Sequence, residues 1–191
     1  MTVLVLGPNG SGKSVYAEKL AVRLSGTREP AAARPLRRGQ PAGELYYIAT
    51  MIPYGDEGLA RVAKHRERRK TMGFITAEKA SRVSGIPFRP DDVVLLEDVS
   101  NLAANTLFSG GGSGGGDDVF SDITQMCAQC RAAVIVSIDG LTAKPEYDGG
   151  TYGYIDTLNR LNQRLSDFAD TVITMREGKP VLMKGAMYDL D

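Results

Sequence analysis

The stretch GPNGSGKS, residues 7–14, follows the apolar run TVLVL (2–6) and opens a helical pattern at Ser14. It matches G-x-x-x-x-G-K-[ST] at every fixed position, between a strand and a helix as that motif requires. Glycines let the backbone curl so that successive N–H groups point at phosphate oxygens. The start of the helix adds the positive end of its dipole. The stretch therefore predicts a phosphate-binding loop, in preference to a glycine-rich turn without a ligand.

Every residue of this loop is a candidate nucleotide contact: Gly7, Pro8, Asn9, Gly10, Ser11, Gly12, Lys13 and Ser14. We expect the Lys13 ammonium to reach the β- and γ-phosphates of ATP or GTP and to act in catalysis. The Ser14 hydroxyl is the expected protein ligand of Mg²⁺.

A nucleoside triphosphate site also needs a carboxylate at the end of a neighbouring strand. The run VVLLED (93–98) ends in two acidic residues, Glu97 and Asp98. Successive strand side chains point to opposite faces, so only one of them can face the phosphates. We choose Glu97 as a catalytic residue and Mg²⁺ ligand. An acidic strand end that is only solvated is the alternative.

The rest of the chain alternates short apolar runs with helical patterns, which predicts a mostly parallel sheet with helices on both faces. We therefore expect one α/β domain of the P-loop NTPase type over residues 1–191. The predicted strands are 2–6, 45–49, 92–96, 133–138 and 171–175, with an edge candidate at 180–184. The predicted helices are Ser14–Ser25, Gly58–Met72, Val99–Phe108, Val119–Arg131 and Tyr152–Phe168.

Three segments interrupt the alternation. Residues 26–43 are rich in Pro, Ala and Arg and predict a long surface loop. Residues 109–118 (SGGGSGGGDD) predict a flexible tether, which we interpret as an inert insertion in preference to a lid. Residues 139–151 follow a strand at the end where open α/β sheets bind ligands, so this loop is a candidate part of the site.

Composition points to a small-molecule partner. The chain has 23 Lys plus Arg and 23 Asp plus Glu, so no overall field favours a nucleic acid or a membrane surface. The apolar run 2–6 is too short to span a membrane and lacks the charged flank of a signal peptide. We therefore expect a cytoplasmic protein. Cys127 and Cys130 predict two small buried side chains, because a single histidine and one cysteine pair cannot complete a Cys/His zinc site.

Transporter-type ATPases share the loop, but no LSGGQ-like signature follows it here. Residues 45–78, LYYIATMIPYGDEGLARVAKHRERRKTMGFITAE, instead resemble the adenosylcobinamide kinase/adenosylcobinamide-phosphate guanylyltransferase family. That family has a strand ending in IAT, then a helix with A-R-[IV]-x-x-H-x-x-x-R, then an aromatic residue and T-x-E. Residues 95–108 and 158–175 resemble two further segments of the family in the same order.

The resemblance implies a bifunctional enzyme of cobalamin synthesis and salvage. Such an enzyme phosphorylates adenosylcobinamide and then transfers GMP from GTP to that phosphate through a guanylylated histidine. His65 matches the position of that catalytic histidine, and Thr50, Arg69 and Glu78 match motif positions that we expect to contact nucleotide. The resemblance also suggests a homo-oligomer, with a trimer as the expected form.

His65 has independent chemical support, since neutral imidazole is a competent nucleophile near neutral pH. It lies in a basic segment, where nearby cations would keep the imidazole deprotonated and attract phosphates. The opposing interpretation is a solvated surface histidine, which the residues alone would favour.

The sequence departs from the family on the acceptor side. The family's T-N-E-[VT]-G is replaced by Ser137–Leu141, its F-R-D by Tyr154–Asp156, and its usual Cys by Asp98. Asp139 is a hypothetical substitute for the family's glutamate. Three interpretations remain open: a complete bifunctional enzyme, which we favour, a small-molecule kinase with one activity, or a regulatory nucleotide-binding relative.

Overall fold

The computed structural model describes residues 1–26, 43–53, 63, 66–67, 69–108, 115–188 and 190. Within them the chain forms a seven-stranded sheet. The strands are β1 (Thr2–Gly7), β2 (Leu45–Ala49), β3 (Ile75–Glu78), β4 (Val93–Glu97), β5 (Ala132–Ile138), β6 (Thr171–Arg176) and β7 (Lys179–Lys184). Their order is β3-β2-β4-β5-β1-β6-β7, and all neighbours run parallel except β6 and β7. The predicted mostly parallel α/β sheet is confirmed.

Helices cover both faces of the sheet. The described α-helices are α1 (Lys13–Ser25), α2 (Val99–Phe108), α3 (Gly116–Gln129) and α4 (Gly149–Phe168), with a short 3₁₀ turn at Val83–Gly85. Helix α1 packs on one face through Leu20, and α2 to α4 pack on the other through side chains such as Leu102 and Ile123. None of the helices that the structure describes is long and apolar enough to cross a membrane.

Each central strand contributes to two apolar cores. Along β1, Val3 and Val5 enter the core under α1, whereas Leu4 enters the core under α2 to α4. This alternation follows from the pleat, which points successive side chains to opposite faces. It explains why the central strands are continuous apolar runs in the sequence.

The sheet brings the ends of separate strands to one edge. Strand β1 ends at Gly7, paired with Ile138 of β5, and β4 ends at Glu97, paired with Val136 of β5. The loop 7–14 and Glu97 therefore lie at the carboxyl edge, with one strand between β1 and β4. Parallel α/β sheets bind their ligands at this edge.

Two helices, α3 and α4, begin three residues earlier than predicted. Residues 116–118 were assigned to the tether, but they form the first turn of α3, where the Gly115 N–H donates to Asp118 Oδ2 at 3.1 Å. Acidic side chains are favourable in a first turn because they complement the helix dipole. Helix α4 begins at Gly149, inside the predicted loop 139–151, because Asp148 caps it by accepting a hydrogen bond from the Thr151 N–H at 2.9 Å.

Strand β3 was not predicted as a strand. It is four residues long, has no fully buried side chain, and pairs with β2 at the sheet edge. A short edge strand of this kind lacks the apolar run by which the other strands were found. The predicted helix Gly58–Met72 lies largely outside the described residues, and its described positions at 63, 66, 67, 69 and 70 are helical. Most of the predicted loop 26–43 and residues 109–114 also lie outside them.

The two cysteines are buried, as predicted, and both are free thiols. Cys127 lies on α3, while Cys130 caps its end in an extended conformation. Burial raises the pKa of the Cys127 thiol to about 12 and that of the Cys130 thiol to about 11. Both therefore stay protonated near neutral pH, where a redox or metal-binding cysteine would need to be a thiolate.

Candidate functional site

The loop 7–14 has the backbone that its glycines allow. Gly10 and Gly12 have φ of 77° and 84°, in the left-handed region that favours glycine. A Cβ atom at Gly7 would lie 2.5 Å from Ser11 Oγ, so this position also requires a residue without a side chain. The Ser11 N–H donates to the Pro8 carbonyl at 3.2 Å and closes the turn. Asn9 lies exposed in the same turn.

Helix α1 starts directly after this turn and places Lys13 and Ser14 at the sheet edge. Lys13 is only 7% exposed, and its Nζ donates to the Pro8 carbonyl at 3.4 Å. The ammonium is thus folded back over the loop. Ser14 Oγ donates a hydrogen bond to Glu97 Oε1. The structure therefore brings together the two predicted Mg²⁺ ligands, the Ser14 hydroxyl of the phosphate loop and the Glu97 carboxylate at the end of β4.

The Glu97 carboxyl is in an environment that disfavours its charge. Burial raises its pKa from 4.5 to about 7, and the Asp98 and Glu18 carboxylates act in the same direction. The Ser14 hydrogen bond and the Lys13 charge oppose this rise. Its second oxygen, Oε2, is buried and accepts no hydrogen bond from the described residues.

This pair fits a magnesium ion. Mg²⁺ in nucleotide sites is held by one or two hard oxygen ligands of the protein together with substrate phosphates. Ser14 supplies a hydroxyl oxygen, and Glu97 supplies its Oε2, which has no hydrogen-bond partner among the described residues. These are two hard oxygen ligands of the kind that Mg²⁺ requires. Among the described residues, no group of three or more His, Cys, Asp or Glu forms a ready metal site.

Asp98 directly follows β4 and faces the start of α2. Its Oδ1 accepts hydrogen bonds from Ser100 Oγ at 2.6 Å and the Asn101 N–H at 2.8 Å, at the start of α2. Thr50 is fully buried, and its hydroxyl donates to the Asp98 carbonyl and accepts from the Asp98 N–H, both at 2.8 Å. The Thr50 hydroxyl thus joins the ends of β2 and β4. A nucleotide contact by Thr50 stays a prediction.

Comparison with known proteins decides the family. A family model described as "Cobinamide kinase / cobinamide phosphate guanyltransferase" (CobU) matches residues 3–183. The chain belongs to this family. The family is one of cobalamin biosynthesis enzymes, so the resemblance given by the motifs is confirmed.

Two curated relatives match along their full length. They are the bifunctional adenosylcobalamin biosynthesis proteins CobU of Salmonella typhimurium and Escherichia coli. Each is 28% identical over 201 residues, which cover 96% of this chain and 100% of the relative. This low identity over the full length makes the chain a divergent CobU-family member.

A solved structure supports the fold alone. The flagellar accessory protein FlaH from Methanocaldococcus jannaschii superposes with a TM-score of 0.52 at 12% identity, covering 96% of this chain and 78% of FlaH. The likeness agrees with the P-loop NTPase type of fold.

Other residues predicted from the CobU-family motifs lie around β2 and β3. Arg69 is buried, and its guanidinium carbon lies 3.6 Å from the centre of the Tyr47 ring. Glu78, at the end of β3, forms an ion pair with Arg66. His65 lies outside the described residues. Arg69 therefore lies on the α1 face, on which Tyr47 packs, and the structure does not test its role or that of Glu78.

Two residues at the edge were not singled out from the sequence. Burial raises the pKa of the Tyr47 hydroxyl, and so does the nearby Glu97 carboxylate, whereas Arg69 lowers it. Arg176 Nη2 lies 3.2 Å from Asp139 Oδ2. Only their positions in the sheet could have indicated them. Arg176 ends β6 at the ligand edge, and Tyr47 lies on the same face of the sheet as Glu97 and α1. Neither belongs to a motif that sequence inspection recognises.

Asp139 lies in the segment Ser137–Leu141, where this chain departs from the usual acceptor-side sequence of the CobU family. Its N–H donates to the Gly7 carbonyl at 3.4 Å, so it directly adjoins the phosphate loop. Its Oδ1 is buried and accepts no hydrogen bond from the described residues. A carboxylate is thus present beside the loop despite the departure from the family pattern.

Proposed function

We propose that this chain phosphorylates the hydroxyl of adenosylcobinamide and then transfers GMP from GTP to the resulting phosphate. The family match over residues 3–183 supports the substrate class. The observation that carries the kinase half is the contact of Ser14 with Glu97 at the end of an intact phosphate loop.

In the phosphorylation step, the loop N–H groups and Lys13 bind the phosphates of ATP or GTP. Mg²⁺, held by Ser14 and Glu97, would neutralise charge on the triphosphate. Glu97 must first give up a proton, because its pKa of about 7 leaves it partly protonated at neutral pH. The acceptor oxygen loses its proton to solvent and forms a bond to the γ-phosphorus as the bond to the β-phosphate oxygen breaks, which releases ADP or GDP. Positioning and charge stabilisation supply most of the catalysis.

In the transfer step, His65 is the proposed nucleophile. An imidazole nitrogen forms a bond to the α-phosphorus of GTP, and pyrophosphate leaves. A phosphate oxygen of cobinamide phosphate then attacks the same phosphorus, and the N–P bond breaks to regenerate His65. Arg69 is the proposed partner of the α-phosphate oxygens. The sequence match to the family motif supports these assignments.

The test is labelling with GTP that carries radioactive phosphorus at the α position, followed by denaturing electrophoresis. We expect a protein-bound label that is labile in acid and stable in alkali, and that is absent from His65→Ala. Lys70→Ala is the control, since Lys70 lies in the same segment and forms a surface ion pair with Glu67 at 2.7 Å. A label retained by His65→Ala would overturn the guanylyl-histidine.

A parallel assay separates the alternatives. With γ-labelled ATP and cobinamide, label transfer to cobinamide without any protein label indicates a kinase with one activity. Hydrolysis that is independent of cobinamide indicates a regulatory or plain nucleotidase role. The homo-oligomeric or trimeric assembly and the cytoplasmic location stay predictions from the sequence.

A further inference from the structure

The ring of Tyr47 has a fixed place near the carboxyl edge of the sheet. Tyr47 lies in β2 and pairs with Thr76 of β3 on one side and with Leu95 of β4 on the other. The residue is only 4% exposed, and its side chain is part of the core under α1. Side chains in a close-packed core keep to one rotamer on average. The backbone pairing and the core together therefore hold the ring in one place.

Arg69 lies over the face of this ring. Its guanidinium carbon is 3.6 Å from the ring centre, and the residue is only 3% exposed. The negative face of an aromatic ring attracts a cation, and the attraction is stronger where water is excluded. A guanidinium is also planar and stacks on aromatic faces, which the compact ammonium of lysine does not do. The Tyr47 ring therefore determines where the Arg69 cation lies.

Phe74 makes a separate contact with the same ring. The ring centres of Phe74 and Tyr47 are 5.8 Å apart and the ring planes meet at 85°, which is an edge-to-face arrangement. Arg69 and Phe74 both precede β3 in the chain. One contact involves a cation and the other only aromatic packing, so a substitution at Phe74 removes packing around the ring and leaves the cation over it. The chain thus offers a matched control for the Arg69 contact.

The Tyr47 side chain also lies close to the proposed Mg²⁺ ligand. Glu97 is two positions beyond Leu95, the β4 partner of Tyr47, and therefore lies on the same face of the sheet. Burial raises the pKa of the Tyr47 hydroxyl, the Glu97 carboxylate raises it further, and the Arg69 charge lowers it. Glu97 and Arg69 are thus both neighbours of Tyr47. The Arg69 cation therefore lies at the same edge of the sheet as the contact of Glu97 with Ser14.

Guanylyl transfer needs a cation in a defined place. When an imidazole attacks the α-phosphorus of GTP, negative charge on the phosphate oxygens must be stabilised as pyrophosphate leaves. A cation that is oriented before the reaction stabilises this charge without reorganisation. An error of about 1 Å in the position of a reacting group can lower a rate about 100-fold. A residue that fixes the Arg69 guanidinium in advance would therefore act on the rate of transfer and not on the affinity for GTP.

We propose that Tyr47 is a positioning residue for guanylyl transfer, and that the face of its ring holds the Arg69 guanidinium in place for the α-phosphate oxygens. The inference rests on the proposed function, in which Arg69 contacts those oxygens. It adds the residue that determines where the guanidinium lies. The ring face performs this role, and the hydroxyl is not required for it.

The experiment measures how fast GTP labelled at the α-phosphate labels the protein, as a function of GTP concentration. Tyr47→Leu removes the ring and should lower the maximal labelling rate by about tenfold to 100-fold, with the half-saturating GTP concentration little changed. Tyr47→Phe keeps the ring and should label at close to the wild-type rate. Phe74→Leu is the matched control, because it removes the edge-to-face partner and leaves Arg69 over the ring. It should label like the wild type.

Three further measurements separate positioning from a general loss of structure. Phosphorylation of cobinamide by γ-labelled ATP should fall no more in Tyr47→Leu than in Phe74→Leu. In the Arg69→Ala background, Tyr47→Leu should have no additional effect on labelling, because a residue that acts only through Arg69 then has nothing to position. Arg69→Lys keeps the charge but not the planar group, and it should lower labelling as Tyr47→Leu does. This variant leaves the ring in the core, so it tests the same contact if Tyr47→Leu does not fold.

Several results would overturn the positioning role. They are wild-type labelling by Tyr47→Leu or Arg69→Lys, an equal loss in Tyr47→Phe or Phe74→Leu, a parallel loss of cobinamide phosphorylation in Tyr47→Leu alone, and independent losses in the double variant. If wild-type protein takes no label, or if Arg69→Ala labels at the wild-type rate, the proposed transfer step fails and this inference fails with it. If Arg69→Ala loses the label while Tyr47→Leu keeps it, only the role of Tyr47 fails.

Discussion

The buried carboxyl of Glu97 should make the unliganded protein less stable as the pH rises, and Glu97→Gln should remove this effect. Its pKa is raised from 4.5 to about 7, chiefly by burial. The folded state therefore holds the proton more tightly than the unfolded chain does. Raising the pH through this window deprotonates the unfolded chain first, so the free energy of unfolding falls.

The size of the effect follows from the pKa shift. One pKa unit corresponds to about 1.4 kcal/mol, so the shift from 4.5 to about 7 amounts to about 3 kcal/mol when the pH exceeds both values. Between pH 5 and pH 8 the contribution changes by about 2–3 kcal/mol, since part of it is already present at pH 5. Glu97→Gln has no titrating group there and should gain that amount relative to wild type.

Urea denaturation without nucleotide or Mg²⁺, at pH 5 and pH 8, measures this difference. Titrating groups that do not interact with Glu97 contribute equally to both proteins, and any constant cost of the buried amide cancels between the two pH values. Glu146→Gln, an exposed carboxylate, controls for the loss of one charge. Glu97→Gln should nevertheless lose Mg²⁺-dependent ATP binding, whereas Glu146→Gln should keep it. A difference between Glu97→Gln and wild type that stays constant from pH 5 to pH 8 would refute the reasoning.

Two further predictions concern neighbouring residues. Tyr47→Leu should lower the free energy of unfolding by about 1–2 kcal/mol more than Tyr47→Phe, as measured by urea denaturation. The reason is that only phenylalanine keeps an aromatic ring 3.6 Å from the Arg69 guanidinium carbon. Equal losses in the two variants would show that the ring face does not stabilise the protein. Asp139→Ala should reduce phosphorylation of cobinamide while leaving tripolyphosphate binding intact, because Asp139 adjoins Gly7 on the acceptor-side loop. Unchanged kinase and guanylyltransferase rates in Asp139→Ala would show that it does not replace the family's glutamate.

The sequence predicted the elements with strong local signals. Most strands were found because burial on both faces leaves continuous apolar runs, as in TVLVL (2–6). Strand alternation indicated that only one of Glu97 and Asp98 can face the phosphate loop; in the structure Glu97 contacts Ser14 and Asp98 contacts Ser100, and the role of Glu97 stays a prediction. Strand β3 was missed because its residues are stabilised by pairing with β2 and not by their own apolar pattern. The start of α3 was missed because glycine and aspartate resemble a tether until the cap and the packing of Val119 are seen.

The sequence by itself determined the phosphate loop, since glycine conformations and a helix start are local properties of GPNGSGKS (7–14). Only the tertiary structure decided which groups meet that loop. Ser14 and Glu97 are 83 positions apart, and their contact depends on the order of strands across the sheet. Met187 likewise lies beside α1, 3.8 Å from the Tyr16 hydroxyl, only because the chain turns back after β7. Contacts between distant segments depend on strand order and register, and no short pattern in the sequence encodes these.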